Sequence, residues 1–177
     1  MCLQKLKVKT LLMCSYNSKG IIHKEFVLEG QTVTANVYLS VLKCYLKRIL
    51  RVRPEYSAPA CWFLLHDNVP DHRAVAVQEF LAITGECVLS HPPNSPDLSP
   101  CNYFLFPKLK LSLKGHLFED IHDIQIAVTS TARAITEEDL QRSFQHLLDR
   151  ATRCINVQGD YFVRSFHLLY QCTRELL

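Results

Sequence analysis

Hydrophobic and polar positions along this chain change rhythm several times, and each change marks an element. From Lys7 to Tyr16, Val8, Leu11, Leu12 and Met13 form a lightly interrupted apolar run that predicts a strand. Asn17-Ser18-Lys19-Gly20 is a turn signal, and Ile21 to Leu28 reads as the return strand of a hairpin. Past Gly30 the period lengthens. Val37, Val41, Leu42, Leu46, Ile49 and Leu50 recur at helical spacing after a Thr34 N-cap, and Pro54 closes a helix ending near Val52. Cys61 to His66 is short and uniformly apolar, as a strand covered on both faces should be. His72 to Ile83 is helical in pattern with Gly85 as its stop, and Glu86 to Leu89 is another brief strand.

The loop from Pro92 to Pro100 holds four prolines and cannot be regular structure. From Cys101 the pattern is helical, with a kink or a fresh start at Pro107 and a stop at Gly115. Asp120 to Ala134 and Glu137 to about Cys154 predict two more helices, the second capped by Thr136 with Asp139 in its first turn. Gly159 to Leu177 fits helix and strand equally well. The order predicts an α/β fold, a mixed sheet flanked by helices, with its site at the strand ends.

At 177 residues the chain is one domain's length, and 48% apolar with 21% charged residues is ordinary globular usage. A net charge of +3 says little, but its distribution says more. Lys43, Lys47, Arg48, Arg51 and Arg53 crowd one predicted helix, and Lys108, Lys110 and Lys114 crowd another. On the residues alone these are solvated faces. Eight cysteines contain no Cys-x-x-Cys pair and no signal peptide precedes them, which argues against structural zinc and a disulfide framework and for reduced, buried thiols. No apolar run is long enough to span a bilayer.

Candidate chemistry gathers in two stretches, His66-Asp67-Asn68-Val69-Pro70-Asp71-His72 and His91 to Phe106. Asp67 follows a buried strand and so stands on the ligand-binding edge of a sheet, although an Asp-Asn pair also suits a turn. A second oxygen ligand from a helix start would complete a site for magnesium or manganese, which prefer carboxylates. Thirty-four residues beyond Asp67, that position is Asn102, an amide with no charge to give and an ordinary helix cap. Asp97 sits in a turn-forming Ser-Pro-Asp-Leu context, and Asp71 reads as an exposed loop acid. His66, His72 and His91 flank the region without any local zinc spacing.

These stretches resemble the catalytic domain of mariner-type transposases. The family pattern is His-x-Asp-Asn-Ala-x-x-His followed by His-Pro-Pro-Tyr-Ser-Pro-Asp-Leu-Ala-Pro-x-Asp. The likeness extends to Ser18–Phe26, Gly30–Val33, Leu113–Phe118 and Gln158–Phe162, and so covers nearly the whole chain. It implies an RNase H-like fold and metal-dependent DNA cleavage and strand transfer by three acids holding Mg2+ or Mn2+. Asp67 falls on the second acid and Asn102 on the third, where the family has Asp; Asn94 replaces a Tyr, and Val69 and Asp71 alter the first motif.

The first acid of that family lies in a Gly-Asp-Glu stretch ahead of the hairpin, on a central strand of the sheet, and the sequence from Met1 contains no such stretch. The expectation is one N-terminally truncated domain over 1–177. Its parts are a hairpin (5–30), a helix (34–53), an active-site core (61–102) and a helical C-terminal part (103–177), lacking the first, central strand. The function expected is a degenerate transposase domain, binding DNA by descent with cleavage lost. The alternatives are an active divalent-metal endonuclease and a domesticated non-enzymatic interaction module. Metal ligands would be Asp67 and Asn102. Sequence-independent phosphate contacts would come from Lys43, Lys47, Arg48, Arg51, Lys108, Lys110 and Lys114. A homodimer through Leu140, Phe144, Leu147, Leu148 and Ile155 is a further partner, against packing of that stripe on the sheet. No membrane or small-molecule substrate is expected, and the resemblance implies a nuclear location.

Overall fold

The computed structural model describes residues 10–27, 30–57, 62–66, 69–85, 87–93, 95–156 and, as backbone, 168–175. Strands β1 (Leu11–Asn17) and β2 (Gly20–Val27) form the expected antiparallel hairpin, with a register shift between Ser15 and Tyr16. Helix α1 (Ala35–Val52) starts where the sequence placed it, because the Thr34 side chain accepts a hydrogen bond from the Val37 N–H. Strand β3 (Phe63–His66) leads into a 3-10 turn, Pro70–Arg73, and then α2 (Val75–Thr84). The start of α2 is later than the pattern predicted because Pro70 and the extended Ala74 hold the intervening turn apart from it. Gly85 adopts φ +71° and donates its N–H back to α2, the left-handed stop its lack of a Cβ permits.

Strand β4 (Cys87–Leu89) pairs parallel to β3. Helices α3 (Phe106–Leu113), α4 (Ile121–Ala134) and α5 (Glu137–Asn156) follow. Asp120 caps α4 by accepting from Asp123 N–H at 2.8 Å, and Thr136 does the same for Asp139 N–H at 3.2 Å. The helical region ends at Asn156, and Leu168–Glu175, which the pattern left open between helix and strand, forms β5.

The sheet order is β2-β1-β5-β3-β4. A sheet short of its central strand would have left the hairpin and β3 with open facing edges. Here β5 lies between them, antiparallel to β1 from Leu11↔Glu175 to Tyr16↔Tyr170 and parallel to β3 from Phe63↔Leu168 to His66↔Gln171. Strand β5 thus closes the middle of the sheet.

Alternation along the strands divides the core into two layers. Leu12, Cys14, Tyr16 and Leu65 pack with Phe106, Leu109, Ile124, Val128, Leu140, Phe144 and Leu147 of α3, α4 and α5. Ile22 and Leu64 pack with Tyr38, Leu42, Tyr45 and Ile49 of α1 and with Val77 and Leu81 of α2. The stripe considered for a dimer is spent here, since Leu140, Phe144 and Leu147 are buried and only Ile155, 42% exposed, faces solvent substantially.

Candidate functional site

β3 ends at His66, and the sequence continues through Asp67 and Asn68, which lie outside the described residues, as does Asn94. The His72 ring, from the 3-10 turn, stacks on Tyr38 of α1 with centroids 3.7 Å apart and planes 26° apart. The His66 ring lies 6.3 Å from Tyr38 and 5.5 Å from His72. All three rings are buried. His66 and His72, which flank Asp67 in the sequence, are thus gathered around one tyrosine ring. The sequence showed both histidines, but Tyr38 is hidden in it as one more apolar position of α1.

The same end of the sheet opens into a cavity of about 640 Å³, lined by His66, His72, Arg73, Gln78, Ser90 and His91 among others. His91, on the loop after β4, is buried. The fold therefore brings together the three histidines that sequence spacing did not connect. They do not make a zinc centre: among the described residues no group of three His, Cys, Asp or Glu side chains could hold a metal ion.

Asn102 lies half-buried in a π-helical turn, Cys101–Leu105, that runs into α3. Phe106 N–H donates to Cys101 O, five residues back. Pro107 explains the widened turn, since it has no N–H to continue the α-helical ladder there. The capping role imagined for Asn102 belongs to Ser99. Buried Ser99 accepts from Asn102 N–H, at 3.3 Å through its hydroxyl and 2.9 Å through its carbonyl. The turn is tied down from α5, where Ser143 O accepts from the Tyr103 hydroxyl at 2.8 Å and the Arg150 guanidinium lies 4.1 Å over the Tyr103 ring. Burial pushes the Tyr103 phenol well above its ordinary pKa, so it stays a donor.

Arg150 also donates to Asp97 O at 2.9 Å, which anchors the Pro-rich loop by its backbone while the Asp97 side chain stays exposed. Asp71 is half-buried rather than exposed. Neither acid is grouped with other metal-binding side chains among the described residues.

The basic residues divide into two kinds. Lys43, Lys47, Arg48 and Arg51 are exposed on α1, a helix with no acidic residue, and Lys43 Nζ sits 5.5 Å over the Phe80 ring. Lys110 and Lys114 are exposed as well. Lys108 is already committed, to the Asp139 carboxylate and to the Phe104 ring at 5.5 Å. Arg53 is turned inward, half-buried, with one guanidinium nitrogen on Val52 O at 3.3 Å.

No family model matches the chain. A structure of the Mos1 transposase catalytic domain with raltegravir and Mg superposes on it with a TM-score of 0.79 at 31% identity, covering 88% of this chain and 78% of that one. The chain belongs to the mariner transposase family. The mariner Mos1 transposase of Drosophila mauritiana is 30% identical over 154 residues, 86% of this chain and 45% of that protein. The human histone-lysine N-methyltransferase SETMAR is 29% identical over 154 residues, 87% of this chain and 22% of that protein. The chain thus spans less than half the length of either curated relative. A Mos1 mariner paired end complex with Mn matches with a TM-score of 0.80 at 31% identity over 90% of this chain and 46% of that one. The mariner likeness accounts for the RNase H-like sheet.

Proposed function

We propose that this chain is a mariner catalytic domain that holds DNA through phosphate contacts and has lost metal-dependent cleavage. The observation that carries the reading is Asn102, a neutral amide in the tethered turn where the family motif has a carboxylate. Mos1 domain structures contain Mg and Mn, so divalent metal is the family's cofactor. The described residues here do not fit a hard cation: around the cavity the polar groups are imidazoles, a guanidinium, a hydroxyl and an amide, with no cluster of acids. Asp67 and the Asn102 carbonyl would offer one negative charge between them. Two divalent ions held close together need more than that.

DNA retention rests on α1. Its four exposed cations meet no acid on their own helix, so their field is available to a polyanion. Contacts of this type position a duplex without reading its bases. A nuclear location belongs to the same reading, and a fluorescent fusion of the full chain that stays outside the nucleus would count against it.

The test is calorimetric titration of Mg2+ and Mn2+ into the full chain and Asp67→Ala, beside nicking assays on supercoiled plasmid. Weak or no metal binding and no nicking are expected. Saturable binding and nicking that both vanish in Asp67→Ala would overturn the loss of cleavage. Asn102→Asp should strengthen metal binding if the third ligand alone is limiting.

A further inference from the structure

On the sheet face opposite α1, edge strand β2 and helix α4 enclose a groove of about 400 Å³. Its floor is apolar, formed by Phe26 and by Ile126, which is 54% exposed. Its polar lining is Gln125, Thr129 and Ser130, with His122 and Arg133 also on it. Lys24 stands at the edge, donating to Thr129 Oγ1 with its ammonium 5.8 Å over the Phe26 ring. Thus two cations flank an open hydrophobic floor. Among the described residues no carboxylate lies within ion-pair distance of either, and the neighbouring acid, Glu25, is engaged with His23. Burial, and then the Arg133 charge, hold Lys24 below the ordinary lysine pKa, so an anion arriving here would relieve a standing repulsion.

A flat apolar surface with amide and hydroxyl groups along it and two cations beside it matches the three parts of a nucleotide: base face, base edge or sugar, and phosphate. We propose that this groove is a subsite for one nucleotide of a single-stranded nucleic acid, its base against Phe26 and Ile126 and its phosphate between Lys24 and Arg133. It rests on the DNA-binding reading above but uses a different face of the sheet from α1, so the two can fail separately.

The experiment is fluorescence anisotropy of the full chain with labelled oligothymidylate and, separately, a labelled random-sequence duplex, over a series of salt concentrations. Ile126→Glu places a carboxylate on the floor at an exposed position that the fold does not need. Lys24→Met with Arg133→Met removes both cations. Each variant should lose about 10-fold in single-strand affinity, the worth of roughly one stacked base. The double variant should also lower the salt slope by roughly 0.7 for one phosphate. Arg142→Ala, on α5, should change neither. Unchanged oligothymidylate binding in Ile126→Glu, with the far-ultraviolet circular dichroism of wild type, overturns the subsite, whatever the double variant does. Loss confined to the duplex overturns the single-strand assignment. If α1 variants abolish duplex binding while groove variants are silent, the subsite fails and the DNA reading stands. A wild-type chain that binds neither probe removes both.

Discussion

Helices α1 and α5 do the same structural job on opposite faces of the sheet and present opposite exteriors. Each lays an apolar stripe on the sheet: Tyr38, Val41, Leu42, Tyr45 and Ile49 from α1, and Leu140, Phe144, Leu147 and Ala151 from α5. Outward, α1 carries four basic residues and no acid, whereas α5 carries four acids and three arginines. Several α5 charges are met on the helix itself: Arg142 lies 2.9 Å from Glu138 and 3.6 Å from Asp139, and Gln145 donates to Asp149 at 3.0 Å. Amphipathicity explains why both helices are there. Only the charge left uncompensated outside distinguishes a surface that solvates the fold from one suited to a polyanion.

The comparison breaks first if the inner faces are unequal. Leu42→Ala and Leu147→Ala each empty a fully packed position, and each should cost about 2–5 kcal/mol in urea denaturation. A cost below 1 kcal/mol at either would mean that helix is not seated as described. The outer faces should differ sharply. Replacing Lys47, Arg48 and Arg51 together by alanine should lower duplex affinity at least 10-fold at low salt and reduce the salt slope by roughly 0.9 per lost phosphate contact. Arg142→Ala with Arg153→Ala should leave both unchanged, and equal losses would erase the distinction.

Smaller effects sharpen it. Thr136→Ala should destabilise by about 1 kcal/mol, and Thr34→Ala by less, because the α1 cap bond is 3.5 Å long against 3.2 Å for α5. Smallest is a pH effect. The hydrogen bond from Lys108, and then its charge, hold the Asp139 carboxyl below the ordinary aspartate value. The depressed folded pKa means its stabilisation is complete above the unfolded value near 4 and is lost as pH falls through the folded one. The stability gap between wild type and Asp139→Asn should therefore close in acid, and a gap that widened there would refute the pairing.

Much of this was legible because it is local. Thr34, Asp120, Thr136 and Gly85 mark helix ends through bonds spanning three or four residues, and their chemistry is visible in the sequence. The family motif likewise exposed the neutral residue at position 102. What was not legible depends on separation along the chain. Arg150 secures the Pro-rich loop from 53 residues away, and nothing in the pattern of α5 sets that arginine apart from Arg142 or Arg153. Tyr38 looks like any core residue until His66 and His72 are seen against its ring.

By itself, the sequence determined the helices, the hairpin, the family and the missing charge at position 102, since each is written in neighbouring residues or a contiguous motif. Only the tertiary structure decided that Leu168–Glu175 is a strand and that it lies between β1 and β3. That segment has no periodicity of its own strong enough to choose helix or strand. Its conformation comes from two ladders of backbone hydrogen bonds offered by strands more than a hundred residues earlier in the chain.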